Sequence, residues 1–242
     1  MANLQTIDVF YSLNSFQEEE LRDKTVVVID VLRASSTIVT ALMNGAKAII
    51  PVGDMGEASK IAQNVDSKNY LLCGEKDGVT IDGYDLGNSP AEYTKEIVGG
   101  KRLIFNTTNG TKAIKKSLGS SDVYIASFLN VGAVVKALEN DERDVVLICA
   151  GWKGRLSFED MLLAGNIIHL LGDGQLPENT RDGAKVAFGL FDKYGDNITA
   201  VVHQSNHAER LRTLNISSDI DYCCQIDITD ILPRLKEGMI TL

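Results

Sequence analysis

In the segment DVLRASST, residues 30–37, an acid, an arginine and three hydroxyls follow an apolar run. Arg33 offers a planar fork of donors suited to a phosphate or sulfonate, and Ser35, Ser36 and Thr37 stand where a helix would begin with unpaired backbone N–H groups. The segment reads either as an anion site or as a capped helix carrying a surface arginine. TTNGT, residues 107–111, has the same two readings: Thr108, Asn109, Gly110 and Thr111 can start a helix, or can let backbone approach a phosphate closely. Asp30 lies inside the end of the apolar run and Glu75 follows Cys73 and Gly74. Both are costly places for an isolated carboxylate, so both call for a cation. Hard oxygen donors of this kind suit Mg²⁺, with Glu159 or Asp160 as a third acid, and the competing reading is an ion pair from Asp30 or Glu75 to Arg33 or Arg155.

Missing motifs narrow the chemistry. No GxxxxGK[ST] and no GxGxxG follow an apolar run, which disfavours the usual nucleotide sites. There is no GxSxG elbow, and His169, His203 and His207 have no evident nucleophile partner, His169 reading as helix packing. Cys73, Cys149, Cys223 and Cys224 form neither a CxxC pair nor a zinc pattern and read as buried thiols. Cys149 and Arg155 do show a C(x)₅R spacing at a strand end, so a thiolate phosphatase is a rival. A non-catalytic binder of an anionic metabolite is a second rival, although it would gain nothing from clustered acids without a metal.

These residues recur at the ends of strand-length apolar runs starting at Thr25, Ala48, Tyr70, Arg102, Val123 and Val145. The runs are apolar nearly throughout, as in strands covered on both faces. Helical patterns alternate with them at 35–44, 56–65, 90–97, 111–118, 132–139 and 158–171. The expectation is an α/β fold, a mainly parallel sheet with helices on both faces. In such sheets ligands bind beyond the carboxyl ends of the strands, where Ser127, Asn130 and Arg155 also fall. Residues 1–172 read as this core. Residues 173–242 read as a smaller, mostly helical part, with two or three helices over 182–214 and a final strand at 219–224.

The chain has 242 residues, 44% hydrophobic and 24% charged, with a net charge of −9. That acidity disfavours nucleic acid or an acidic membrane surface as the main partner. Nothing approaches the length of a membrane span, and the opening MANLQTIDVFYSL does not look like a leader, so a cytoplasmic protein is expected. An anionic small molecule would have to be held by local donors. A homodimer is the commonest assembly for such enzymes.

The stretches VVVIDVLRASSTIVTALMNGAKAIIPV, LLCGEKDGVTIDGYDLGNSPAEY, LIFNTTNGTKAI, ASFLN and CAGWKGRLSFEDMLLAG resemble the 2-phosphosulfolactate phosphatase family of the coenzyme M pathway, with a weaker echo in SNHAERLRTL, DIDYC and Pro233. The resemblance implies Mg²⁺-dependent hydrolysis of (R)-2-phospho-3-sulfolactate to 3-sulfolactate and phosphate. It places Asp30 and Glu75 on the metal, with Glu159 or Asp160 adding a third carboxylate. Arg33, Ser35, Ser36, Thr37 and residues 108–111 would hold anionic groups, and Asn88, Ser89, Ser127, Asn130 and Arg155 would complete the pocket.

Overall fold

A computed structural model describes residues 6–63 and 68–242. The start of the opening segment read for a leader, and positions 64 and 65 of the expected 56–65 helix, lie outside the described residues. In chain order the strands are β1 (Ile7–Phe10), β2 (Thr25–Ile29), β3 (Ala48–Pro51), β4 (Tyr70–Lys76), β5 (Val79–Thr80), β6 (Arg102–Asn106), β7 (Asp122–Ala126), β8 (Val145–Cys149), β9 (Arg234–Lys236) and β10 (Met239–Thr241). The helices are α1 (Ala34–Met43), α2 (Met55–Ala62), α3 (Lys95–Val98), α4 (Gly110–Lys116), α5 (Val131–Glu139), α6 (Phe158–Leu171), α7 (Asp182–Tyr194), α8 (Ile198–Val202), α9 (Asn206–Thr213) and α10 (Ser218–Cys223).

The strands form one sheet in the order β1-β8-β2-β7-β9-β10-β3-β6-β4-β5. Two parallel groups, β1-β8-β2-β7 and β3-β6-β4, are joined by the antiparallel C-terminal hairpin β9–β10, in which Arg234 pairs with Tyr124 and Ile240 with Ile49. The period of two along β2 shows why its run is apolar throughout. Val27 and Ile29 enter a core with α5, α6, α7 and the later helices, whereas Val26 and Val28 enter one with α1 and α4.

The segment read as a final strand, 219–224, is instead α10 and the residue after it. Its buried residues Ile220 and Cys223 are three apart, the spacing of one helical face rather than of a strand. The closing strands are β9 and β10, beyond Pro233. The 90–97 pattern is broken into a 3₁₀ turn at Pro90–Glu92 and the short α3. No helix among the described residues is long and apolar enough to cross a membrane.

Candidate active site

The carboxyl ends of β2, β4, β6 and β8 open on one cavity of about 470 Å³. Its walls are Asp30, Leu32 and Arg33 after β2, Glu75, Asp77 and Gly78 from the β4–β5 hairpin, and Thr108 and Asn109 after β6. Asn88, Trp152 and Lys153 add to these, and α9 supplies His207, Arg210 and Leu211.

Asp30 is held rigidly from both sides. Its backbone N–H donates to Ser35 Oγ at 2.8 Å, its carbonyl accepts from the Ser35 amide at 2.9 Å, and Oδ1 accepts from the Ala34 amide at 3.3 Å. Gly110 permits this packing, because a Cβ there would stand 2.5 Å from Ala34 Cβ and 2.8 Å from Asp30 Oδ2. Burial pushes the Asp30 carboxyl up to about 6, against the opposing pull of His207 and the Ala34 amide. The nearby charges of Glu75 and Glu159 push the same way as burial.

Glu75 is aimed by Gly74, whose φ of +147° brings its Cα against Asn106, so that a Cβ would meet that carbonyl oxygen at 1.9 Å. Its Oε1 accepts from the Thr108 amide at 2.7 Å, and Oε2 from the Gly78 amide at 2.6 Å and Thr108 Oγ1 at 3.1 Å. The carboxylate therefore ties the hairpin to the β6 loop across one wall of the cavity.

Arg33 is 4% exposed. Nη1 donates to Asp219 Oδ2 at 2.7 Å and Nη2 to the Gly78 carbonyl at 3.1 Å. Ser89 Oγ donates to the other Asp219 oxygen at 2.7 Å. A residue of the C-terminal helices thus sets the fork of an arginine located after β2. Asn88 Oδ1 is buried with no hydrogen-bond partner among the described residues.

The sequence showed no nucleophile partner for His207; its partner in the structure is a carboxylate, Glu159. His207 Nδ1 lies 3.0 Å from Glu159 Oε1, and its ring stacks on Trp152 with centroids 5.6 Å apart. Burial raises the Glu159 carboxyl, but the His207 hydrogen bond and charge outweigh it and hold the group below the usual range. Glu159 Oε2 is buried with no hydrogen-bond partner among the described residues. The signal for His207 and Arg210 was SNHAERLRTL, a stretch that carried the weaker part of the resemblance.

Other expected site residues build the scaffold. Ser36 Oγ donates to the Val31 carbonyl at 2.8 Å and Thr37 Oγ1 to the Asn88 carbonyl at 2.9 Å, so with Ser35 all three hydroxyls serve backbone. Thr111 and Thr107 exchange side-chain bonds at the start of α4. Asp160 accepts from the Val31 amide at 2.9 Å and the Gly151 amide at 3.2 Å, joining the loops after β2 and β8. Its burial, reinforced by Glu159 and Asp30, pushes its carboxyl well up. Ser127 and Asn130 bond to each other, and Asn130 Nδ2 reaches the Ile231 carbonyl at 3.2 Å, away from the cavity walls. Arg155 is exposed and closes the tight turn 152–155 through paired backbone bonds to Trp152. It lines a neighbouring cavity of about 430 Å³ that shares Trp152 and His207.

The surroundings of Cys149 do not favour the thiolate reading. Cys149 is fully buried in β8, with Sγ 3.8 Å from Met161 Sδ, and burial pushes its thiol well up, with Asp160 and Glu159 adding to the shift. It is a small hydrophobe of the core.

A family model described as 2-phosphosulpholactate phosphatase matches residues 11–238. The chain belongs to the 2-phosphosulpholactate phosphatase family. It is 41% identical over 237 residues to a probable 2-phosphosulfolactate phosphatase of Caldanaerobacter subterraneus subsp. tengcongensis, covering 98% of this chain and 97% of that protein. Proteins with the same description in Clostridium tetani and Thermotoga petrophila are 39% identical over 97% of this chain and 99% of theirs, and 42% identical over 90% of this chain and 92% of theirs. The family match runs from the end of β1 to the β9–β10 turn, so it takes in both the strand-end loops and the C-terminal helices that supply the cavity.

Proposed function

We propose that the chain hydrolyses the phosphate monoester of (R)-2-phospho-3-sulfolactate, with Mg²⁺ bound at Asp30. One observation carries the reading: a single cavity holds two buried carboxylates, a buried arginine and a histidine backed by a carboxylate. That combination serves a phosphoryl group and its leaving oxygen better than it serves simple anion capture.

The donor set fits Mg²⁺. Among the described residues no three His, Cys, Asp or Glu side chains are grouped to hold a metal, so Glu159 does not join Asp30 and Glu75 in one ligand cluster. Mg²⁺ needs only one or two carboxylates, the rest being water and phosphate oxygens. Asp30, whose Oδ2 accepts no hydrogen bond from the described residues, is the ligand, and Glu75 is the second negative charge beside it. The bound ion would draw charge from the phosphoryl oxygens.

Arg33 holds an oxygen of the anion, kept in place by Asp219 and Gly78. With Nδ1 facing Glu159, His207 has Nε2 left to give a proton to the leaving oxygen as water adds to phosphorus and the ester P–O bond breaks. The four cysteines are unpaired and buried, which suits a reducing cytoplasm.

Phosphate release from 2-phosphosulfolactate, with Mg²⁺ or with EDTA, tests the proposal. Release in Mg²⁺ that EDTA abolishes is expected, and Cys149→Ser should behave as wild type. No release in Mg²⁺ would sink the reading.

A further inference from the structure

We infer that Lys153 and Arg210 form a sulfonate subsite at the mouth of the cavity. The inference rests on the phosphomonoester reading above and deepens it, because it assigns the substrate's second strong anion to particular side chains.

The argument begins with which cations are already neutralised. Arg33 lies deep and carries a carboxylate partner, Asp219, on an equally buried side chain. Lys153 and Arg210 are the other Lys and Arg residues lining the cavity, and neither makes an ion pair among the described residues. Arg210 Nη2 donates only to the Asp77 carbonyl, at 3.2 Å, and Lys153 Nζ lies over the Trp152 ring, 4.7 Å from its centroid. Neither contact cancels a charge. Two positive charges left open on one cavity of a chain with net charge −9 are an anion receptor.

Their placement is built. Lys153 has a φ of +52° and Gly154 one of +72°, in a turn closed by Trp152 and Arg155 exchanging backbone hydrogen bonds at 3.0 Å. A lysine rarely adopts that backbone, and both Trp152 and Lys153 of this turn line the cavity. Arg210 comes from α9, far away in sequence, yet reaches the β4–β5 hairpin.

Depth separates the two anions. Asp30 and Arg33 are buried at the floor, Arg210 is half-buried and Lys153 is exposed. A phosphate monoester is the stronger base and the better ligand for a hard cation, so it belongs with Asp30, Arg33 and His207. A sulfonate is a permanent monoanion, a very weak base and a poor metal ligand. What it can use is a guanidinium fork and an ammonium, which is the pair at the mouth.

The test compares substrates with and without the sulfonate. Arg210→Met and Lys153→Met should each raise KM for 2-phosphosulfolactate by about 10- to 100-fold, as expected for a lost hydrogen bond between charged groups, with kcat changed far less. For 2-phospholactate, which lacks the sulfonate, kcat/KM should fall no more than about twofold, and Arg210→Lys should recover part of the loss. Equal losses on both substrates, or no loss on either, would overturn the assignment. Calorimetry with 3-sulfolactate and with lactate separates this from the activity itself. If wild type releases no phosphate but binds 3-sulfolactate, and Arg210→Met does not, the subsite stands while the phosphatase reading fails. If wild type binds 3-sulfolactate no better than lactate, the subsite fails.

Discussion

Asp30 is costly to keep charged where it stands. Its carboxyl is raised to about 6 from an ordinary 3.8, so the stability it contributes is complete below the ordinary value and is lost as pH rises through about 6. At pH 8 the metal-free protein therefore carries a destabilising charge. Asp30→Asn should raise the melting temperature at pH 8, by roughly 2–4 °C per kcal/mol relieved, and should give little gain at pH 4. Mg²⁺ should raise the melting temperature of wild type at pH 8 but not that of the variant. The same variant should lose phosphate release by at least about 100-fold. Asp219 supports a second prediction at this scale. Asp219→Asn leaves the Arg33 guanidinium buried without its counter-charge, a change that typically costs about 3–5 kcal/mol. Urea unfolding should show that loss, and added inorganic phosphate should recover more stability in the variant than in wild type, because the anion replaces the missing charge.

Among the elements, the start of α4 packs closely on α1 and Asp30. Gly110→Ala would push a methyl group toward Asp30 Oδ2 and Ala34 Cβ, neither of which is free to move. A destabilisation of about 1–3 kcal/mol is expected, together with a fall in kcat rather than a rise in KM alone, as measured by steady-state phosphate release. This contact also shows how far the sequence could be read. A glycine after TTN was legible as a place of close approach, and in the structure α1 and Asp30 come up against it. Six strands were legible from their apolar runs; β5, β9 and β10 were not, being two or three residues long, and β1, no shorter than β3, was not because its buried residues alternate with half-buried ones. Asp30, Arg33, Glu75, Thr108 and Asn109 were legible as cavity residues from their positions after strands. Ser35, Ser36, Thr37 and Thr111 stand in the first turns of the helices that follow, yet their hydroxyls turn inward to serve backbone. Side-chain direction at a helix start is decided by packing, which the sequence does not display. His207, Arg210 and Asp219 come from helices more than 50 residues beyond the end of β8, so strand-end reasoning did not reach them.

At the scale of the molecule the site lies across a seam. Asp30 and Trp152 belong to the parallel group containing β2 and β8, whereas Glu75 and Thr108 belong to the group containing β4 and β6. Strand pairing between the groups runs through the last ten residues, where Arg234 also pairs with Asp122 at 2.8 Å and the Pro233 carbonyl accepts from the Ile125 amide at 3.0 Å. The C-terminal helices contribute Ala184, Ile198, Ala208 and Ile220 to the same buried cluster as Val27 and Leu147, and Trp152 stacks on His207 of α9. A separately folding C-terminal part would unfold on its own, whereas a shared core and a sheet completed by the C-terminus require one transition. Trp152 is the chain's one tryptophan and stands in the cavity wall, so its fluorescence reports the site while far-UV dichroism reports the whole fold. Ile240→Ala in β10 removes a fully buried side chain from the seam, far along the chain from Trp152. It should cost about 2–4 kcal/mol and shift both signals to the same lower urea midpoint. A dichroism change that moved while the Trp152 transition stayed in place would mean that the hairpin and the site fold independently, and the seam would then not hold the site together.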